Sequence, residues 1–139
     1  MSESPLPRVL FVCMGNACRS QMAEGFARVY GRDVMVAASA GLTPAVDVAV
    51  DTVRAMDERN IDLRHHFPKA LQHLVRTRFD LVVNMSGCEL PPPYNAIAAR
   101  VWSVPDPIGA AYEKHCEIRD MVENRVMELI LELRRGRKR

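Results

Sequence analysis

The chain has 139 residues, 48% of them hydrophobic and 26% charged, which suits a single domain spanning 1–139. No apolar run approaches the roughly 18 residues of a membrane span, and no signal-peptide pattern opens the chain, so we expect a cytoplasmic protein. The chain has nineteen basic and seventeen acidic side chains, and five of the basic ones form a tail at 134–139. The rest is mildly acidic, which argues against a nucleic-acid-binding protein.

Short apolar runs alternate with helical patterns along the chain. Continuous apolar runs, typical of strands buried on both faces, predict strands at 9–12, 34–38, 79–83 and 100–104. Apolar residues at three- and four-residue spacing predict helices at 22–30, 46–56 and 118–133, with a shorter one at 68–75. Strands that alternate with helices predict an α/β domain with a parallel sheet and helices on both faces. Ligands of such folds bind beyond the carboxyl ends of the strands.

The segment after the first predicted strand has the composition of an anion-binding loop. It runs Cys13-Met14-Gly15-Asn16-Ala17-Cys18-Arg19-Ser20 and leads into the first turn of a helix. Backbone N–H groups of a curved loop attract a phosphate-like oxyanion, and Arg19 adds a planar cation that can bind two of its oxygens. The same field would stabilise a thiolate at Cys13, the nucleophilic form of cysteine. Ser20 would bond that thiolate or cap the helix, and Asn16 suits the left-handed backbone that such a loop requires.

This loop resembles the signature of the low-molecular-weight protein tyrosine phosphatases and of their relatives, the thioredoxin-coupled arsenate reductases. Four further segments follow in the family's order: Ser39-Ala40-Gly41, Asn60-Ile61-Asp62-Leu63, Phe79-Asp80-Leu81-Val82-Val83 and Asp106-Pro107. The resemblance implies a flavodoxin-like three-layer sandwich with a four-stranded parallel sheet. It also implies that Asp106 is the catalytic acid, which protonates the leaving group and then activates water.

Cys13, Arg19 and Asp106 together predict a phosphomonoester hydrolase that forms a cysteinyl-phosphate intermediate. The resemblance implies aryl, phosphotyrosine-like substrates. A phosphate-binding module with little turnover is a further alternative, although a mere binder needs neither a thiolate nor an acid. This chemistry requires no metal or organic cofactor, and the four cysteines lack the Cys-x-x-Cys spacing of a zinc site. The expected partners are a phosphate or arsenate oxyanion or a phosphorylated substrate.

The walls of a phosphotyrosine slot are missing from the sequence. Ile108 follows the Asp-Pro where the phosphatases carry Tyr, and segment 42–45 lacks an aromatic residue. Tyr94, in the proline-rich loop 91–94 that we expect to form a stiff cleft rim, is the aromatic candidate to replace them. Arsenate mimics phosphate, so an arsenate reductase that uses the same loop is the principal alternative.

Arsenate reduction needs further thiols to resolve the arsenylated cysteine. Ser86 stands where thioredoxin-coupled members carry the first of two relay cysteines, and Cys88 is close by but alone. The reductase alternative therefore relies on Cys18, on Cys88 or on an external thiol reductant. The phosphatases often carry a cysteine at the position of Cys18, where it can form a reversible disulfide with the nucleophile. We expect no catalytic role for Cys116, nor for the histidines, predicted as surface or capping residues: His65, His66, His73 and His115.

Overall fold

The computed structural model describes residues 5–137, so the last two residues of the basic tail lie outside the described residues. Four strands form one parallel sheet: β1 (Arg8–Cys13), β2 (Val36–Gly41), β3 (Leu81–Asn84) and β4 (Ala99–Val101). Their order is β2-β1-β3-β4, and β1 pairs with both β2 and β3. The chain order reverses beside β1, which is where an open α/β sheet forms its ligand crevice.

Strand β1 is central because both of its faces are apolar. Val9 and Phe11 pack into a large core on one face, whereas Leu10 and Val12 pack into a smaller core on the other. Side chains of a strand alternate between faces, so an uninterrupted apolar run is what a doubly covered strand requires. The strand is thereby fixed in position up to Cys13, its last residue.

Three α-helices cover the large core: α1 (Arg19–Tyr30), α2 (Val50–Asp57) and α3 (Tyr112–Arg137). The opposite face is covered by two 3₁₀ helices, Leu71–Leu74 and Tyr94–Ala96, whose Leu71 and Tyr94 are buried in the small core. The predicted α/β fold, with a four-stranded parallel sheet between two helical layers, is confirmed. The short helix predicted at 68–75 is a single 3₁₀ turn.

Several element boundaries differ from the sequence prediction. The helix predicted at 46–56 begins at Val50, because residues 42–49 form a loop that lies against the Cys13–Ser20 loop. The strand predicted at 100–104 is Ala99–Val101. Helix α3 is longer than predicted and includes the start of the basic tail. Arg134, near its end, forms an ion pair with Asp33 at 2.8 Å. No helix between residues 5 and 137 has the length and apolarity needed to cross a membrane.

Candidate active site

The loop that joins β1 to α1 brings Cys13 and Arg19 to one point. Cys13 ends the strand and Arg19 begins the helix, and both side chains are buried. Asn16, between them, has a φ of 52°, the left-handed conformation expected from the sequence. The chain therefore turns within five residues from a buried strand into the N-terminus of a helix, where partial positive charge collects.

A second segment, residues 42–49, lies outside this loop and donates hydrogen bonds to the carbonyl oxygens of the loop. Four backbone N–H groups donate to four loop carbonyls: Leu42 to Cys13 at 3.3 Å, Thr43 to Met14 at 2.8 Å, Ala45 to Gly15 at 2.9 Å and Ala49 to Ala17 at 3.0 Å. The N–H groups of residues 14–17, in contrast, donate to no acceptor among residues 5–137. Backbone N–H groups without acceptors, next to a helix N-terminus, can bind an anion.

Gly41 allows the two segments to approach this closely. A Cβ atom at this position would lie 2.8 Å from the Met14 carbonyl oxygen and 2.9 Å from the Asn16 nitrogen. Backbone atoms cannot move aside as the end of a flexible side chain can, so a side chain here would displace the loop. The glycine that ends β2 is thus part of the site although it lies outside the loop.

A buried chain of polar side chains holds the Cys13 thiol. The Ser20 hydroxyl oxygen lies 2.9 Å from Cys13 Sγ and accepts a hydrogen bond from Asn16 Nδ2 at 2.7 Å. Because Asn16 supplies that donor, the Ser20 proton is free to point at the sulfur, where it would stabilise a thiolate. Asn16 also donates to Ser39 at 3.0 Å, and Ser39 donates to the buried Glu24 at 2.5 Å.

The Arg19 guanidinium is fixed in place but retains unused donors. Its Nη1 donates to the carbonyls of Met85 at 2.6 Å and Val104 at 3.0 Å, which lie on the two loops that follow β3 and β4. Its Nε is buried and has no hydrogen-bond partner within the described part of the chain. A buried charged donor without a partner is costly, and an oxyanion bound in front of Arg19 would satisfy it.

Asp106 lies at the mouth of the same site. Its Oδ2 is 3.5 Å from Arg19 Nη2, its Oδ1 accepts from the Ile108 N–H at 3.0 Å, and its side chain is 40% exposed. The site encloses a cavity of about 230 Å³. It is lined by Cys13, Met14, Gly15, Ala17, Cys18, Arg19, Thr43, Ala45, Asp106 and Ile108. A thiol, a guanidinium cation and a carboxyl group therefore face one space.

The predicted loop residues divide into two groups. Met14, Gly15, Ala17, Cys18 and Arg19 line the cavity together with Cys13, whereas Asn16 and Ser20 do not line it but hydrogen-bond to each other and, through Ser20, to the Cys13 thiol. Thr43 and Ala45, which were not predicted as site residues, complete the wall and belong to the segment where the sequence lacks the aromatic wall of the phosphatases. The glycine before them was the available signal, because a strand that ends in Ser-Ala-Gly permits a close backbone approach.

Three expectations about the surroundings are wrong. Tyr94 is not a wall of the cavity, because its ring is buried in the small core and its hydroxyl donates to the Leu71 carbonyl at 2.5 Å. The prolines of 91–93 do not line the cavity either. His115 is not a surface residue but is 98% buried, with Nδ1 at 3.0 Å from the Thr52 hydroxyl. His65 and His73 are exposed, as expected.

The remaining cysteines differ in exposure. Cys18 lines the cavity and is buried, and burial raises the pKa of its thiol to about 11. Cys88 is exposed in the loop after β3, and Cys116 is half-buried on α3. All four thiols are free. Within residues 5–137, no group of three or more His, Cys, Asp or Glu side chains is placed to hold a metal ion.

Comparisons with known proteins agree on the family. The sequence profile described as low molecular weight phosphotyrosine protein phosphatase matches residues 8–91. A glutaredoxin arsenate reductase of Synechocystis sp. is 30% identical, covering 92% of this chain and 99% of the relative. An arsenate reductase of Bacillus subtilis is 34% identical, covering 86% and 92%.

Solved structures give the same result. An arsenate reductase in the phosphate binding state superposes with a TM-score of 0.83 at 30% identity, covering 92% of this chain and 99% of that one. The YwlE arginine phosphatase from Geobacillus stearothermophilus has a TM-score of 0.83 at 23% identity, covering 94% of both chains, and shares the fold. The chain therefore belongs to the low-molecular-weight phosphotyrosine protein phosphatase family, cysteine-dependent enzymes that include the arsenate reductases.

Proposed function

We propose that this protein is an arsenate reductase with Cys13 as its nucleophile. The observation that carries the proposal is the shape of the cavity: about 230 Å³ around a buried cysteine and an arginine with an unpartnered Nε, without an aromatic side chain in its lining. Such a space suits a tetrahedral oxyanion and offers no stacking surface to an aryl group. The names of the relatives at 30–34% identity support this choice.

The reaction follows from the groups that face the cavity. Cys13 Sγ attacks arsenic and water leaves, while Arg19 and the loop N–H groups bind the arsenate oxygens. A second thiolate then attacks Cys13 Sγ, and the S–As bond breaks with its electron pair going to arsenic. Arsenic is thereby reduced from As(V) to As(III), arsenite leaves, and the two thiols are oxidised to a disulfide. An external thiol reductant restores them.

Cys88 is the better second thiol within the chain. It is exposed, and its loop begins at Met85, whose carbonyl binds Arg19 at 2.6 Å, so the loop is attached to the site. Cys18 lies closer to the cavity, but its buried thiol, with a pKa of about 11, is almost fully protonated near neutral pH. A monothiol reductant such as glutathione would serve in the absence of Cys88.

The test is arsenite production from arsenate by the purified protein, with a thioredoxin-type dithiol protein and, separately, with glutathione and a glutaredoxin. We expect turnover with at least one reductant, its loss in Cys13→Ser and a fall of about tenfold or more in Cys88→Ser with the dithiol protein. Cys116→Ser is the matched control and should match the wild type. Absence of arsenite with both reductants, while an aryl phosphate is hydrolysed, would overturn the proposal.

Phosphomonoester hydrolysis is the second candidate, and Asp106 favours it. Its carboxyl group lies at the mouth of the cavity, 3.5 Å from Arg19, and under this candidate it protonates the departing alkoxide or phenoxide. Under this candidate, Asp106→Asn lowers kcat about 10²-fold for a phosphate ester with a poor leaving group. An ester with a good leaving group should be affected much less. Equal effects on both esters would remove Asp106 from the role of acid.

A further inference from the structure

Strand β4 is an uncovered edge of the sheet. It pairs with β3 on one side and with no strand among residues 5–137 on the other, and residues 98–101 are all exposed. At the opposite edge of the sheet, Val36 is the only exposed residue of β2. An uncovered edge strand presents backbone donors and acceptors to which a further strand can bind.

The backbone groups that face outward from this edge belong to Ala99 and Val101. Ala98 and Trp102 hydrogen-bond β3 through their backbone, the first as acceptor at 2.9 Å and the second as donor at 3.0 Å. Successive residues of a strand point their backbone groups to opposite sides, so the N–H and C=O groups of Ala99 and Val101 point away from β3. Within the described residues, none of these four groups has a hydrogen-bond partner.

Two grooves flank β4, one on each face of the sheet. Arg100 and Trp102 line the groove beside α3, which has a volume of about 400 Å³. Ala99 and Val101 line the groove on the opposite face, together with Leu90, and its volume is about 290 Å³. Side chains of a strand alternate between faces, so a strand added beside β4 would place its side chains in both grooves.

The two grooves differ in charge. Three arginines and two glutamates line the groove beside α3, and one pair is already closed, since Arg100 donates to Glu132 at 3.0 and 2.5 Å. Arg125 and Arg135 form no ion pair or hydrogen bond with another described residue. Glu89 is the one charged side chain of the described chain that lines the opposite groove, among apolar, amide and tyrosine side chains. Acidic side chains therefore suit the first groove and apolar ones the second.

We propose that β4 binds an extended segment of a partner protein in which acidic and apolar residues alternate. The segment adds a strand to the sheet and exchanges hydrogen bonds with the outward backbone groups of Ala99 and Val101. Its acidic side chains face Arg125 and Arg135, and its apolar side chains cover Val101, which is 75% exposed. The proposal goes beyond the proposed function and does not rest on it, because no residue of β4 lines the Cys13 cavity.

A second copy of this chain fits the same edge less well. In a two-fold dimer, β4 would pair with itself in antiparallel orientation through Ala99 and Val101, which places the Arg100 residues of the two copies opposite each other. Like charges directly opposite each other destabilise a pair of strands. The dimer would also bring the two sets of Arg125 and Arg135 to the same face of the joined sheet, whereas an acidic segment neutralises them.

An edge that only resists aggregation makes a different prediction. Short edge strands that carry a charge discourage further pairing, and such an edge binds no added strand. Strand addition requires both the outward backbone groups of β4 and the positive charge beside α3. The two roles are therefore separable by one variant that removes a backbone N–H from the edge and another that reverses a charge in the groove.

The experiment measures the binding of two fluorescent peptides to the full chain by fluorescence anisotropy. One peptide alternates valine and glutamate, and the other alternates valine and lysine, so the two share their apolar content and differ in charge. We expect a Kd of about 100 µM or lower for the glutamate peptide. The lysine peptide should bind at least about tenfold more weakly, because it meets Arg125 and Arg135.

Val101→Pro tests the backbone of the edge. The N–H of Val101 faces away from β3, so proline removes a donor that the sheet does not use. We expect the Kd of the glutamate peptide to rise about tenfold or more in Val101→Pro. Val101→Ala, which keeps the N–H, should raise it by less than about threefold.

Arg125→Glu is the second variant, in case Val101→Pro does not fold, and it should raise the same Kd about tenfold. Arg76→Glu, at an exposed position that lines neither groove, is the matched control. The proposal is overturned by equal Kd values for the two peptides, by an unchanged Kd in Arg125→Glu, or by no binding of the glutamate peptide up to about 1 mM.

Sedimentation of the wild type checks the competing occupant of the edge. A dimer that Val101→Pro dissociates would show that a second copy occupies β4 and would overturn the proposal, whereas a monomer supports it. Cys13→Ser should bind the glutamate peptide with wild-type affinity, because Cys13 lies outside both grooves. Arsenite production, measured separately, decides the proposed function.

Discussion

Two loops leave the same edge of the sheet from neighbouring strands, and they are built in opposite ways. The loop after β1 is fixed by hydrogen bonds to other parts of the chain: its carbonyls accept from residues 42–49, and Asn16 donates to Ser39. After Met85, which binds Arg19, the loop that follows β3 is held by short local bonds: the Ser86 hydroxyl donates to Asn84 at 2.6 Å and the Cys88 N–H donates to Ser86 at 3.1 Å. One cysteine is buried at the start of the first loop, and another is exposed in the second.

The difference matches the two kinds of chemistry that a thiol-dependent reductase needs. An anion site gains from donors that are fixed before the ligand arrives, because no reorganisation is then required during the reaction. Thiol exchange with an external reductant needs access instead, because both sulfur atoms must come into contact. In the proposed reductase, the fixed loop would bind the oxyanion and the exposed loop would bring Cys88 to the external reductant.

The largest expected effect comes from changing the cation of the fixed loop. Arg19→Lys keeps the charge but loses the planar group, so the carbonyls of Met85 and Val104 and the oxyanion can no longer be bound together. We expect kcat/KM for arsenate to fall about 10²-fold or more. Arg32→Lys, at an exposed position, is the control. A fall of less than about tenfold would mean that charge alone binds the oxyanion.

The contrast between the two loops is testable directly by thiol alkylation. In Cys13→Ser protein at pH 7, iodoacetamide should modify Cys88 about 10²-fold faster than Cys18, because burial raises the pKa of Cys18 to about 11 and shields its sulfur. The rate at Cys18 should keep rising with pH up to about 11, where half of the thiol is ionised. Peptide mass spectrometry measures both rates, and equal rates at pH 7 would contradict the contrast.

Gly41→Ala tests whether the fixed loop depends on its contact with β2. The new Cβ would lie 2.8 Å from the Met14 carbonyl oxygen, so we expect the free energy of unfolding to fall by about 2 kcal/mol. Arsenate turnover should fall as well, because the loop N–H groups move. Gly136→Ala, where a Cβ meets nothing within 4 Å, is the control in a denaturant titration. Unchanged turnover in Gly41→Ala would show that the loop tolerates displacement.

The smallest effect is expected in the exposed loop. Ser86→Ala removes the hydroxyl that binds both Asn84 and the Cys88 N–H, at a cost of about 1 kcal/mol in unfolding free energy. Turnover should change by less than about threefold, because Cys88 is already exposed to an external reductant. A loss comparable to that in Arg19→Lys would show that the second loop is also a preorganised part of the site.

The sequence predicted the local features of the site well. Three of these features depend on residues within eight positions of one another. They are the position of the Cys13–Ser20 loop, the contact between Ser20 and Cys13, and the left-handed backbone at Asn16. The fold was predictable for the same reason, since each strand and helix carries its own apolar pattern. The catalytic roles of Cys13, Arg19 and Asp106 stay predictions until they are measured.

Contacts between distant residues were not predictable in the same way. Thr52 and His115 are 63 positions apart, and nothing near either residue shows that a turn of α3 packs against α2. Tyr94 follows three prolines, a pattern typical of an exposed loop, yet its ring completes the small core. Burial of a single polar or aromatic side chain depends on tertiary packing, which a local pattern does not contain.

The backbone pairing of residues 42–49 with the anion loop has a consequence for protein engineering. Transplanting only the eight residues from Cys13 to Ser20 into another scaffold would leave the loop carbonyls unsatisfied and free to turn inward, where they would repel an oxyanion. A working graft needs a second, discontinuous piece of chain together with the glycine that admits it. The unit to transplant is therefore the pair of adjacent parallel strands β1 and β2 together with the loops that follow them.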